Sequence, residues 1–364
     1  MPLLPTAVSG ASGHIAQTNQ AWSKLNDWPN VVRDYGAVGD DSTNNTTALQ
    51  AALDATANGA AGAGRGGTLV FPPGIYRTDK LTMYTGIHLL ALGDGRTDAR
   101  YGAALSARAN GQTILEMNAP SEIMQDGFHI ENMGFTSNGF TGVTGVKLYG
   151  INRWRFNNCS FSGPAGTPME LGLYCTDRNI AGTLRDCAWW NVFECSFRIC
   201  NMGMDVGGNG GIIRDSNFTP ELAQSGLTGL RLRRTSSPDE GSQTNVVQGC
   251  MFDLATGNPG TALLCQGSNN RILNNKFEVR DSTGNGIKVE KVGALSESGQ
   301  RNIISHNIIS QAGGTGARAI LITSGATDTL ITENIFLSNN TPDIDDSGTA
   351  TKDFHNRKTD GSWT

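Results

Sequence analysis

The sequence carries several carboxylates that a regular repeat could bring within reach of one another. Cleaving a glycosidic bond takes two such groups. One protonates the leaving oxygen, and the other activates water or attacks, at separations of ~5 Å in retaining and roughly 6.5–9.5 Å in inverting enzymes. Asp205 and Asp177 are the first candidate catalytic pair; Glu194 with Asp215 and Asp253 with Glu278 are two others. Tyr149, Tyr174, Arg231, Arg233, Lys288 and Glu290 are residue types that hold a sugar, by stacking on its apolar face and hydrogen-bonding its hydroxyls. Trp189, beside Trp190, suits either a sugar platform or a residue that packs a loop down. Seven Cys is an odd number, so intrachain disulfides cannot pair them all. No CxxC pair and no Cys/His cluster of zinc spacing occurs, so neither a metal nor a cofactor is expected.

These residues become neighbours only if the chain repeats, and it does. Phe135, Phe161, Phe197, Phe218, Phe252, Phe277, Ile309 and Phe336 recur at an average of about 29 residues. Five residues before each stands an apolar residue: Ile130, Phe156, Val192, Ile213, Val247, Ile272, Ile304 and Ile331. Two before each stands Met133, Cys159, Cys195, Ser216, Cys250, Asn275, Asn307 or Asn334. A second column reads small, apolar, any, apolar, as in Gly145-Val146-Lys147-Leu148 and Gly203-Met204-Asp205-Val206. It recurs from Gly172, Gly229, Ala262, Gly286 and Ala319. Alternation of period two means strands with one face inward. Each turn therefore holds three short strands, joined by one corner of constant length and two of varying length. That is the pattern of a parallel β-helix, whose coils stack at ~4.8 Å and bury each other's inner face. The Cys and Asn column then becomes an internal ladder.

On the outer face of the glycine-column strand the residues run Lys147, Tyr174, Asp205, Arg231, Leu264, Lys288 and Leu321. Two positions further on they run Tyr149, Thr176, Gly207, Arg233, Gln266, Glu290 and Thr323. Loops of varying length flank this strand, and loops carry function. Asp205 and Asp177 fall on or just after adjacent strands of this face, diagonally displaced toward the inverting separation.

The first third differs. Ala48, Leu49, Ala52 and Leu53 are spaced as the apolar stripe of a helix over Asn45–Asn58, with Ser42, Thr43 or Asn44 as its cap and Gly59 at its end. Such a helix can cover the open end of the coil stack. A strand, a tight turn and a second strand follow over Thr68–Tyr76. The stretch Asp34-Tyr35-Gly36-Ala37-Val38-Gly39-Asp40-Asp41, then Asn45–Leu53, then Thr68–Tyr76, resembles the start of the pectate-lyase superfamily. That superfamily includes glycan-cleaving enzymes, polysaccharide depolymerases and phage tailspikes. The resemblance implies an all-β, right-handed parallel β-helix with an N-terminal capping α-helix, and ligands on the glycine-column face. The leader from Leu4 to Leu25 resembles those of tail-associated phage proteins. What this implies is a tailspike or tail fibre-like protein that binds a bacterial surface polysaccharide, with or without depolymerising it. A tailspike would be a homotrimer among other phage tail proteins. Two alternatives stand: a non-enzymatic adhesion component of the virion tail, and a free polysaccharide lyase or glycoside hydrolase. The polygalacturonase-type motifs are missing; only Gly286-Ile287-Lys288-Val289 echoes one of them, without its arginine. The Asp residues that hold calcium in pectate lyases have no assembled counterpart, since such a site wants 6–8 oxygen ligands.

Composition agrees. Gly is 47 of 364 residues, nearly twice the usual ~7%. With 28 basic and 33 acidic residues the net charge is −5, which argues against a protein that tracks nucleic-acid phosphates. No apolar run is long enough to span a membrane. The first residues lack the basic start and apolar run of a signal peptide. The expectation is synthesis in a host cytoplasm and residence in the virion. The expected organisation is an arm over 1–30 for docking or trimer contact, a β-helix over 31–346, and a polar tail over 347–364.

Overall fold

The structure, a computed structural model, describes residues 27–58, 66–93, 102–118, 127–180, 183–185, 187–220, 226–233, 243–255, 260–293, 298–311, 316–337, 343–358 and 362–363. Among these, three long parallel sheets of 11, 12 and 10 strands wind into a right-handed parallel β-helix. Sheet 1 starts at Thr68–Phe71, sheet 2 at Asp40–Asn44 and sheet 3 at Leu81–Thr82. Each complete coil gives one strand to each sheet, so every strand inside the stack pairs with the coils before and after it.

The two columns of the sequence are rows of the structure. Val146, Leu173, Met204, Leu230, Leu263, Ile287 and Ile320 pair in succession along sheet 3. The phenylalanines do the same along sheet 2, with rings stacked 4.7–4.9 Å apart from Phe135 to Phe277. The glycines are small because this stack lies against them. A Cβ on Gly203 would come 2.6 Å from the Gly229 carbonyl oxygen and 3.0 Å from Phe197 Cβ. Gly145, Gly172 and Gly229 meet the same two obstacles, the next coil's carbonyl and a Phe ring.

Sheets 1 and 2 join through the constant corner. Its first residue stands three positions before each column residue and is left-handed in every coil: φ is +60° at Asn132, +54° at Glu194, +53° at Asp215 and +57° at His306. Asn, Asp and Gly take this conformation at least cost. The second corner residue points inward and satisfies the backbone that the corner frees. Asn275, Asn307 and Asn334 are buried, and each donates Nδ2 to the next residue's Oδ1 at 2.9–3.0 Å, ending on Asn356. The same Oδ1 atoms accept the backbone N–H of the preceding member at 2.9 Å. Where Ser216 occupies the slot, its Oγ accepts the Cys195 N–H. A second ladder, Asn245–Asn270–Asn302, runs beside the start of sheet 1 and was not evident in the repeat.

Helix α1 (Thr46–Asn58) begins where the Asn44 side chain accepts the Thr46 N–H at 3.0 Å. Leu49, Ala52 and Leu53 are fully buried and merge with the core of the coils. The helix packs on Thr68–Phe71 and Leu81–Thr82, the first strands of sheets 1 and 3. Among the described residues no helix is long and apolar enough to cross a membrane. The arm expected over 1–30 lies outside the described residues except for 27–30.

Strand pairing extends past residue 346. Lys352–Phe354 pairs with Leu330–Thr332, and Arg357–Lys358 pairs with Ile335–Phe336, so the stack continues through the supposed tail. This coil lacks an apolar column residue, which hid it. Buried Asn356 in the ladder slot was the surviving signal.

Candidate functional site

The outer face of sheet 3 carries a shallow groove of about 390 Å³. Lys147, Tyr149, Glu170, Tyr174, Asp205 and Arg231 line it. The register is the expected one: Lys147, Tyr174, Asp205 and Arg231 stand side by side on four successive coils. Sheet alternation turns these residues outward, while Leu173, Met204 and Leu230 hold the strands from inside.

Asp205 organises the groove. Its side chain is only 2% exposed, and both carboxylate oxygens are occupied. Arg231 donates to Oδ1 from Nε at 3.0 Å and to Oδ2 from Nη2; Arg233 donates from Nε to Oδ1 at 3.0 Å. Arg233 is pinned further. Its Nη2 donates to the Cys175 carbonyl at 2.9 Å, its Nη1 lies 3.3 Å from Tyr174 Oη, and its Cζ sits 4.7 Å over the Tyr174 ring. Burial works against the Arg233 charge, but Asp205 and Tyr174 outweigh it and hold the guanidinium pKa above its ordinary value. Tyr149 meets Tyr174 edge to face at 5.9 Å. Burial also raises the Tyr149 hydroxyl pKa, so this ring presents a neutral donor. The arrangement offers an aromatic wall, fixed guanidinium groups and one ammonium, Lys147. That set suits a hydroxyl-rich or acidic chain lying along the stack.

The other expected site residues fall elsewhere. Asp177 does not line the groove: its Oδ1 accepts the backbone N–H of Cys187 at 2.7 Å, which fixes the connection toward sheet 1. Lys288 and Glu290 are on the same face, paired to each other at 2.5 Å. They sit three strands beyond Asp205, roughly 14 Å along the stack at ~4.8 Å per strand. Trp189 is on the other side of the coil, at a left-handed corner (φ +53°) leading into sheet 1, where Arg153 lies 5.6 Å from its ring. Its neighbour Trp190 is fully buried and stacked on Trp154 at 5.1 Å. Glu194 and Asp215 are corner residues, and Asp253 and Glu278 share Arg280 on sheet 2. Glu170, missed in the sequence, is the remaining groove carboxylate; it accepts a hydrogen bond from Asn201 at 2.7 Å. It stands ahead of Gly172, just outside the repeating four-residue unit, where a longer strand (Met169–Thr176) carries it into the groove.

Comparison with known proteins adds the family. A family model described as rhamnogalacturonase A/epimerase, pectate lyase-like, matches residues 28–219. No curated protein matches the sequence. Among solved structures, ORF18 of Geobacillus virus E2 is 17% identical with a TM-score of 0.57. The match covers 98% of this chain and 66% of the virus protein, so this chain spans just under two thirds of that length. The surface protein and adhesin PfbA of Streptococcus pneumoniae is 16% identical, with 89% of each chain covered and a TM-score of 0.56. An alginate lyase from a Paenibacillus species is 14% identical, covering 84% of this chain and 97% of the lyase, with a TM-score of 0.56. At such identities these likenesses speak for the fold. With more than half its length matched by that family model, and with the coil architecture the name implies, the chain belongs to the pectate-lyase-like rhamnogalacturonase A/epimerase family.

Proposed function

We propose that this chain is a tail-associated phage protein that binds a bacterial cell-surface polysaccharide along the outer face of sheet 3. The observation that carries the reading is the groove in which Asp205 fixes Arg231 and Arg233 beside the Tyr149–Tyr174 pair. Donors held rigidly before a ligand arrives bind it without an ordering cost. Family membership supports a polysaccharide ligand, and the likeness to a virus protein over nearly the whole chain supports the viral context. In this reading the protein resides in the virion, contacts other tail proteins and assembles as a homotrimer. Light scattering that returned a single chain mass would reject the trimer.

Binding without cleavage is favoured over depolymerisation by one feature. Both Asp205 oxygens are taken by guanidinium groups, and Asp177 serves a backbone amide, so that pair presents no carboxyl to a glycosidic oxygen. Incubation with purified host envelope polysaccharide tests both points. Retention of the glycan with no new reducing ends and no unsaturated uronate is the expected result. New reducing ends would mean hydrolysis, unsaturated uronate would mean elimination, and absence of binding to any host glycan would overturn the proposal.

A further inference from the structure

Sheet 1 carries a cluster on the face opposite in role to the groove. His88 and His129 are paired partners on adjacent coils, and Glu131 lies two residues beyond His129 on the same outward face. The two imidazole rings are stacked 4.5 Å apart and nearly parallel, at 7°. One ligand atom from each of His88, His129 and Glu131 lies within 4.8 Å of the others. His88 and His129 line a pocket of about 470 Å³ whose wall includes Arg153, Arg155, Trp189 and Asn191.

The polar atoms here are unsatisfied. Nε2 of His88 and Nε2 of His129 are both sealed from solvent and make no hydrogen bond. His88 Nε2 is 3.4 Å from Glu131 Oε2, close enough for attraction but without hydrogen-bond geometry. Two adjacent sealed nitrogens that make no hydrogen bond are costly, and a shared cation would satisfy both lone pairs together with the carboxylate.

We propose that His88, His129 and Glu131 form a binding site for a divalent transition metal, with zinc as the best-fitting ion. Two imidazoles and one carboxylate are a zinc donor set, whereas calcium and magnesium call for oxygen ligands alone. Placing ligands at i and i+2 of one strand, with the third on the neighbouring strand, lets three side chains converge from a rigid sheet. Arg155 follows His129 in the same row and opposes a cation; it is exposed, so solvent screens it. Three protein ligands leave a position for water on the pocket side. The site departs from the expectation of no metal, which rested on Cys/His spacing along the chain. Here the ligands come from coils 41 residues apart in sequence.

The test uses the full chain, stripped with chelator and titrated with zinc chloride alone by calorimetry, with cobalt(II) absorption as a second readout. The expected result is uptake of about one zinc per chain with a rise in melting temperature, and intense tetrahedral-type cobalt bands. His129→Gln and Glu131→Gln should each weaken zinc binding by about tenfold or more. Their metal-free melting temperatures should stay near that of the parent. His306→Gln, which alters the exposed His306–Glu333 pair on a corner, should change neither readout. Absence of stoichiometric zinc uptake, uptake that survives both His129→Gln and Glu131→Gln, or loss on His306→Gln would each overturn the proposal.

Discussion

Arg233 Nε lies 3.0 Å from Asp205 Oδ1, and the two belong to successive coils, so the groove is tied together along the stack and not within one strand. Arg233 is 15% exposed and Asp205 2%, which makes this a largely desolvated pair. Removing one partner of such a pair leaves the other charge unpaired. Asp205→Ala is therefore expected to destabilise the protein by about 3–5 kcal/mol. Chemical denaturation of the variant measures this. Asp205→Asn keeps the shape and should lose less stability while still weakening glycan retention, because Arg231 and Arg233 lose their common anchor. Unchanged stability and retention in both variants would show that Asp205 anchors nothing.

The phenylalanine stack is the spine of the core. Phe218 is sandwiched between Phe197 and Phe252, both at 4.8 Å. Phe218→Ala should cost about 3–5 kcal/mol through the lost ring and the cavity left behind. Gly203→Ala attacks the same junction from the other side by overpacking, at about 1–3 kcal/mol. Melting of the two single variants, with Leu264→Ala on the outer face as a comparison, separates these effects. A loss at Leu264 as large as that at Phe218 would contradict the assignment of faces.

All seven cysteines are buried and unpaired. Burial raises the thiol pKa of Cys175, Cys195, Cys200, Cys250 and Cys265, the last two up to about 12. Since the thiolate is the reactive form, the native protein at pH 8 should give almost no reaction with a thiol reagent. In denaturant all seven should react. Rapid labelling of any one cysteine in the native state would place that residue outside the core.

The histidines of sheet 1 predict an acid limb in stability. His129 binds its proton with a pKa near 4 in the fold, against about 6.5 in the unfolded chain, and His88 is shifted in the same direction. Between those values the unfolded state holds more protons, so stability rises with pH there. It is fully present above about 6.5 and is lost as pH falls toward 4. In chelator, the melting temperature should fall across this window, and His129→Gln should flatten that fall. A curve unaltered by the substitution would remove His129 from the account.

How much of this was legible depends on which residues the repeat touches. The Phe and Gly columns were readable because every coil solves the same packing problem, so the same residue types return at the same places. The row Tyr174–Asp205–Arg231 followed directly, since register carries outward residues along with inward ones. Trp189 did not follow. The connections from sheet 3 to sheet 1 vary in length, and nothing in the repeat says on which side of such a connection a residue emerges. Asp177 lies just after its strand, as expected, but there alternation no longer decides the direction of its side chain. His129 stands in the Phe135 coil, but the His88 coil carries Leu105 in place of the phenylalanine, so the repeat does not bring His88 beside it. Their pairing is visible only once His88–Ala91 and His129–Glu131 are seen to be neighbours.

The left-handed corner has a use beyond closing each coil. Asn132, Asn158, Glu194, Asp215, Gly249, Asn274, His306 and Glu333 occupy it in turn, so backbone handedness is retained while side-chain chemistry changes freely. β-branched and bulky residues are the worst suited to that backbone, and Gly, Asn and Asp the best. The corner file is thus a row of interchangeable mounting points at intervals of ~4.8 Å along a stiff rod. Polar groups of the kinds already found there, the Asn, Asp, Glu and His side chains, can be set along this file in a new order on the same backbone.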